Sequence, residues 1–368
     1  MTTTLASPDY RSDLGGGLVR RWSTAADAEK VARCMMTVYR ESADAPLAER
    51  VGNEGRICFL PGFPLMGPGD FAVVEDTTLP DRPIVACTCY WRHTWSLGGI
   101  PFRVGRPEYV ATWAEYRNRG LIRALFEMVH ARSAANGDLV QAITGIEYYY
   151  RQFGYEYVLD LDGRRLVYAA AVPPAKEGEP EPFRLRPAVA EDAPALYAIY
   201  NARRSQSLVW NELSEDDWRY FVTIWDEPLV RSQAPEDTGV AMRPYMIEDA
   251  NGKVCGFAMT GTKRRSRGFG VYALELAHGV NWQAAMSAIL RGLCEIARQA
   301  PIVSADLPAF EELGLVLGRE HPAYAAMGEK LAARREPVYA WYLRVADIPN
   351  FVRHIAPVLE GRLAASIL

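Results

Sequence analysis

No stretch of this 368-residue chain reaches the ~18 consecutive apolar residues that a membrane helix needs. Its first residues, MTTTLASPDYRSDLGGG, hold no apolar core flanked by basic residues, which excludes a secretory signal. Basic residues are not in excess. The 41 Lys+Arg face 45 Asp+Glu, a formal net charge of −4, so nucleic acid is not an expected partner. The cysteines (Cys34, Cys58, Cys87, Cys89, Cys255, Cys294) form no C-x-x-C pair, and the five histidines are scattered. A structural zinc needs four clustered ligands, so no metal is expected. The thiols read as buried and reduced, the state of a cytoplasmic protein. With 49% apolar and 23% charged residues, disorder is excluded too, and the length calls for two domains.

What is present is a linker and a repeat. Residues 172–182, VPPAKEGEPEP, are rich in Pro, Glu and Gly without apolar periodicity, the composition of an extended linker. The same opening occurs on either side of it. Leu18-Val-Arg-Arg-Trp leads through a small-residue turn to Asp27-Ala28 and a helical pattern. Phe183-Arg-Leu-Arg-Pro leads through a similar turn to Asp192-Ala193 and another. The two aspartates are 165 residues apart, a domain-sized period. Two related mixed α/β (α+β) folds in tandem are expected, over residues 1–171 and 183–346, with residues 347–368 as a helical tail.

In the first copy, residues 70–75, 83–95 and 102–112 read as strands, 121–135 as a helix and 139–144 as a strand. A short helix over 147–153 and a closing hairpin, 155–161 with 164–170, follow. In the second copy, 244–248 and 253–262 form a hairpin, then come a strand 270–277, a helix 282–298 and strands 302–306 and 338–345. Each copy should cover a central sheet with helices. The tail sets Phe351, Ile355, Val358, Leu359 and Leu363 on one helical face, a stripe that needs a surface in this chain or in an oligomeric partner.

Chemistry concentrates where a strand ending Val110-Ala111-Thr112 enters a loop with Arg117, Asn118, Arg119 and Gly120. That loop runs directly into the helix Leu121-Ile122-Arg123. The first turn of a helix presents unpaired N–H groups and the positive end of its dipole, a ready phosphate site. Gly120 permits close backbone approach, and three arginines add charge. One strand further on lies Tyr150-Arg-Gln-Phe-Gly154-Tyr155.

Together these two segments resemble the GCN5-related N-acetyltransferase (GNAT) superfamily. Its R/Q-x-x-G-x-G/A loop is matched by Arg117 to Ile122, with Ile122 in place of the final small residue. Its Y-x-x-x-G-F/Y turn is matched by Tyr150, Gly154 and Tyr155. The Y-R-x-R-G-L-x-R run and the tandem repeat are similar to the enhanced intracellular survival branch, over roughly residues 18–345. That branch has two GNAT folds, each a mostly antiparallel sheet flanked by helices, and then a sterol-carrier-like domain. Residues 347–368 resemble the opening helix of such a domain, and the branch's terminal carboxylate is not carried over to Leu368.

The resemblance implies acetyl-CoA as cosubstrate and a primary amine, on a small molecule or peptide, as acceptor. It implies pairing of Val110, Ala111 and Thr112 with the pantetheine arm. Residues Arg117 to Arg123 would hold the pyrophosphate, and Tyr150 would protonate the leaving thiolate. An N–H near Val110 would steady the tetrahedral oxyanion. The second copy has no R-x-x-G, only Gly279 before its helix, and is expected to shape substrate rather than bind cofactor. A non-catalytic acyl-CoA sensor or scaffold on the same fold is the other reading. The run Tyr90-Trp91-Arg92-His93-Thr94-Trp95 offers either an acceptor wall, with His93 as a base, or strand packing. Glu115 and Glu147 flank the expected cleft and could attract a cationic amine, and Lys263 to Arg267 read as a solvated loop.

Overall fold

The computed structural model describes residues 4–332 and 334–366. It comprises two compact units. One is Met1–Leu159 with Ser205–Glu212 and Trp341–Leu368; the other is Asp160–Arg204 with Leu213–Ala340.

The sheet of the first unit is built mainly from β1 (Arg11–Gly15), β2 (Leu18–Trp22), β3 (Phe71–Asp76), β4 (Ile84–Leu97), β5 (Ile100–Thr112), β6 (Val140–Ile143) and β7 (Glu156–Asp162). Neighbours from β1 to β5 pair antiparallel, and β5 pairs parallel with β6. Helices α1 (Ala28–Val38) and α2 (Glu49–Ile57) cover one face through Val31, Met35 and Val51, against Phe71, Val73 and Cys87. Helix α3 (Leu121–Ala135) covers the other through Leu125, Met128 and Val129, against Ala72, Val74 and Val85. Covered on both faces, β3 is buried along its whole length, and its first four residues, Phe71 to Val74, run apolar instead of alternating.

The second unit repeats the plan. Its sheet contains β8 (Arg165–Tyr168), β9 (Phe183–Pro187), β11 (Met242–Asp249), β12 (Val254–Gly261), β13 (Gly268–Leu276), β14 (Glu312–Leu315) and β15 (Arg334–Arg335). Helices α4 (Ala193–Asn201) and α5 (Glu215–Thr223) pack on one face, α7 (Trp282–Gln299) and α8 (Pro322–Leu331) on the other; α6 (Pro228–Arg231) is a single turn. The aspartates that mark the repeat do the same work twice. Asp27 accepts the Thr24 N–H at 2.8 Å and pairs with Arg21 at 2.8 Å. Asp192 accepts the Val189 N–H at 2.8 Å and pairs with Arg186 at 2.6 Å. Each fixes a helix entry to the strand before it.

The expected closing hairpin does not form. Its two strands exist, but β7 stays in the first sheet and β8 joins the second, beside β14. The edge of β6 is taken by β16 (Val338–Arg344), with Tyr342 opposite Ile143 and Arg344 opposite Gln141, and β7 lies outside it. A small strand, β10 (Val209–Asn211), pairs with the far end of β4. The strand expected over 302–306 is only an isolated bridge at Ile302, and the parallel partner of β13 is β14. The tail is two helices, α9 (Ile348–His354) and α10 (Ala356–Ala364), broken at Ile355, two residues before Pro357, which has no N–H to continue the ladder. It packs on the β4–β5 hairpin of the first unit. Phe351 meets Phe102 at 5.4 Å, His354 Nε2 reaches the Pro101 carbonyl at 2.8 Å, and Val358 fills the space at Gly98. Leu359 and Leu363 stay exposed, and Ile367 and Leu368 lie outside the described residues. All six cysteines are buried free thiols. Among the described residues there is no group of His, Cys, Asp or Glu suited to a metal, and no helix is long and apolar enough to cross a membrane.

Candidate active site

The site begins with a fault in the β4–β5 ladder. Cys87 faces Ala111 and Cys89 faces Glu108, so β5 carries one extra residue there, and Tyr109 takes a left-handed φ of 52°. Such a bulge bends the strand and re-aims its backbone. The parallel pairing of β5 with β6 extends only over Val104 and Gly105. Beyond it β6 ends while β5 runs on to Thr112, so the two strands part into a wedge. The carbonyl of Val110 accepts a hydrogen bond from the Tyr39 hydroxyl at 3.1 Å.

A cavity of about 580 Å³ occupies this wedge. Of the residues expected to hold cofactor, Val110, Ala111, Thr112, Arg117, Asn118, Gly120, Leu121, Ile122 and Arg123 all line it. Arg119 does not; its guanidinium stacks over Tyr116 at 4.9 Å, on the exposed side of the loop. Tyr116 is held by Asp76 at 2.7 Å, and burial with this bond pushes its hydroxyl up to about 12. Asn118 (φ 62°) and Gly120 (φ 74°) are both left-handed. Gly120 caps α3 without a side chain, and the first ladder bond of the helix is from the Ala124 N–H to the Gly120 carbonyl, 3.1 Å. The N–H groups of Leu121, Ile122 and Arg123 therefore have no partner within the helix. The Ile122 side chain packs partly against the α3 core, so it does not fill the loop.

Tyr150 enters the same cavity from the other wall. The expected short helix is a 3-10 turn, Tyr149–Phe153, between left-handed Tyr148 and Gly154. The Tyr150 side chain is only 5% exposed, yet its hydroxyl has no hydrogen-bond partner among the described residues. Burial, and then the charge of Glu108, hold its pKa well above the ordinary tyrosine value. The tighter turn brings Tyr149 to the cavity as well, while Tyr148 is 61% exposed.

Glu108 is the residue that sequence reasoning missed. It sits at the bulge, paired with Arg106 at 2.6 Å, and its field reaches Tyr150 and Tyr39. A carboxylate two residues from Arg106 in the strand leading to the loop was the available signal. Glu115 and Glu147 are exposed and do not line the cavity. His93 does not line it either. Burial, then Arg106, lower its pKa to about 3, so it is neutral. The strand aromatics pack in the core: Tyr90 bonds Asp138 and Asn136, and Trp95 meets Trp341 edge-on at 5.6 Å. Within the basic run, Lys263 is bound to the Thr238 carbonyl at 2.6 Å and Arg264 is buried on the Pro308 carbonyl at 3.0 Å, while Arg265 and Arg267 are exposed.

The helix entry of the second unit is built differently. Asn281 caps α7 and spends the Gln283 and Ala284 N–H groups on its own side chain, at 2.9 and 3.2 Å. His321 is buried beside β13, facing Glu275 at 3.4 Å, while Arg203 reaches the same carboxylate at 3.2 Å. Tyr324 bonds the Leu315 carbonyl at 2.9 Å.

Residues 21–158 match the family model described as an acetyltransferase (GNAT) domain. No curated protein sequence matches the chain. Among solved structures, a GCN5-related N-acetyltransferase from Kribbella flavida is similar at 19% identity and TM-score 0.60, over 90% of this chain and 72% of that one. Eis1 from Mycobacterium abscessus is similar at 14% identity and TM-score 0.51, over 92% and 76%. The N-myristoyltransferase of Saccharomyces cerevisiae, solved with myristoyl-CoA, is similar at 12% identity and TM-score 0.61, over 92% and 81%. These likenesses concern the fold. The family model covers residues 21–158, which lie in the first unit, and the chain as a whole is similar in fold to these solved structures.

Proposed function

We propose that this protein transfers an acetyl group from acetyl-CoA to a primary amine by direct attack in the first unit. The observation that carries the reading is the convergence, in one cavity, of an open helix N-terminus and a buried, un-ionised tyrosine. Loop and helix N–H groups from Arg117 to Arg123 hold the pyrophosphate, with the arginines around them. The bulged strand at Val110 to Thr112 pairs with the pantetheine arm, and an N–H there faces the oxyanion. The neutral amine attacks the thioester carbon, forming the C–N bond. The tetrahedral intermediate then breaks its C–S bond, and the Tyr150 hydroxyl gives its proton to the departing thiolate while the amine's proton leaves to water or a base. Burial that keeps Tyr150 protonated suits this role.

The acyl group is a short one. Behind the bulge, Cys34, Met35, Cys87 and Cys89 are fully buried in a packed core, which favours a short acyl group. Tyr150→Phe keeps the ring and removes the proton. Turnover should fall roughly 10²–10⁴-fold with little change in acetyl-CoA affinity. A Phe variant with wild-type turnover at saturating substrate would remove Tyr150 from the mechanism.

A further inference from the structure

We propose that Tyr342, on β16, is a positioning residue for Tyr150, so that the segment Trp341–Leu368, which the first unit takes from the far end of the chain, holds its transfer site in shape. This rests on the reading of Tyr150 as the proton donor. Register places Tyr342 opposite Ile143, the last residue of β6, where the chain leaves the sheet for the turn that carries Tyr150. The Tyr342 side chain is fully buried, stacked on Tyr157 at 4.2 Å and edge-on to Tyr150 at 5.6 Å. Its hydroxyl donates to the Ile146 carbonyl at 3.2 Å, lies 2.5 Å from the Tyr157 hydroxyl and accepts the N–H of Tyr148.

Those contacts fall on the residues just before Tyr150. Tyr148 holds φ at 60°, a conformation that a non-glycine residue keeps only where its surroundings impose it. The hydroxyl of Tyr342 holds the entry to that left-handed residue, through its N–H and through the carbonyl of Ile146 two residues earlier. Arg344, two residues along the same strand, stands at the far end of the turn. A Cβ on Gly154 would come within 3.4 Å of its Nε, and its guanidinium bonds Gln141. One strand thus bonds the start of the turn and stands beside its end, while nothing in β16 lines the cavity. Tyr342 therefore acts on the proton donor through position alone. Sequence proximity could not show this, because 192 residues separate Tyr342 from Tyr150.

The test is a double-mutant cycle in the full chain, read as thiol release from acetyl-CoA with an aminoglycoside, a polyamine and a lysine peptide as acceptors. Tyr342→Phe should lower kcat by about 10–10²-fold, the effect of a misplacement near 1 Å, and leave the acetyl-CoA KM unchanged. In the Tyr150→Phe background the same change should cost nothing further, because the two act as one unit. Should Tyr342→Phe not fold, Arg344→Met, which frees the Gly154 end, carries the same cycle with the same signature expected. Wild-type kcat in the single variant, or a full additional loss in the Tyr150→Phe background, overturns the proposal. If Tyr150→Phe itself keeps wild-type kcat, the proton-donor reading has failed, a result separable from either of these.

Discussion

Replacing Gly120 by valine puts a branched side chain at the loop residue that holds φ at +74° with open space in front of it. No atom lies within 4 Å of where its Cβ would be. Left-handed backbone costs a non-glycine residue roughly 1–2 kcal/mol, and a β-branched one is worse placed still. That strain alone corresponds to a factor of about 5–30 in the binding-competent population. The branch also enters the space that a pyrophosphate needs, so at least ~10²-fold weaker binding is expected. With acetyl-CoA at 100 times its wild-type Kd, the native protein gains about 2.7 kcal/mol, whereas a variant weakened 10²-fold gains only about 0.4. For a unit of this size the gains correspond to about 5–10 °C and about 1 °C in Tm. Gly120→Asn, which tolerates the left-handed region, should fall between the two. The matched control is Gly279→Val, also at positive φ (+86°) with open space ahead. It carries the same backbone cost in the second unit, where Asn281 already takes the helix N–H groups, and should leave the shift intact. A full acetyl-CoA shift in Gly120→Val, or its loss in Gly279→Val, would refute the placement of the phosphate loop.

Two further expectations concern stability and the tail. His93 and His130 have pKa values lowered by burial to about 3 and about 4, so between these and 6.5 the unfolded chain binds more protons than the folded one. Their contribution is complete above about 6.5 and is lost as pH falls, by up to about 1.4 kcal/mol per unit for each histidine. Urea denaturation from pH 6.5 to about 4.5, above the carboxylate range, should show this slope, and His93→Gln or His130→Gln should flatten it; a flat wild-type profile would contradict the assignment. In the tail, amide exchange should be slow around Ile355, which is buried, and fast beyond Leu359, which is exposed. Uniformly fast exchange from Phe351 onward would show that the tail does not dock on the β4–β5 hairpin.

Local signals were legible in the sequence and long-range pairing was not. The cap at Asp27 and its copy at Asp192, the Gly120 loop and the Gly154 stop each depend on a few neighbouring residues, and each formed as read. The partner of β7 could not be read, because hairpin strength is local whereas the edge of β6 goes to β16, almost 200 residues away. Helix α2 was not anticipated. Two glycines, Gly52 and Gly55, weaken its pattern, and they are there because a side chain would strike Met36 and Met35 of α1. The 147–153 segment was helical in pattern but folded as a tighter turn, since both its flanking residues are left-handed. Glu108 and Tyr342 become visible only through the bulge and the sheet register, which bring them near Tyr150 without making them part of the cavity lining.

The most direct test of the central claim is turnover itself. The full chain with acetyl-CoA is offered an aminoglycoside, a polyamine and a lysine peptide, and free thiol and acetylated amine are measured together. Catalysis by the first unit predicts equal amounts of both with one amine class, dependent on both substrates and strongly reduced in Tyr150→Phe. Saturable acetyl-CoA binding with no thiol released to any amine would contradict it, and would make the fold an acyl-CoA sensor instead.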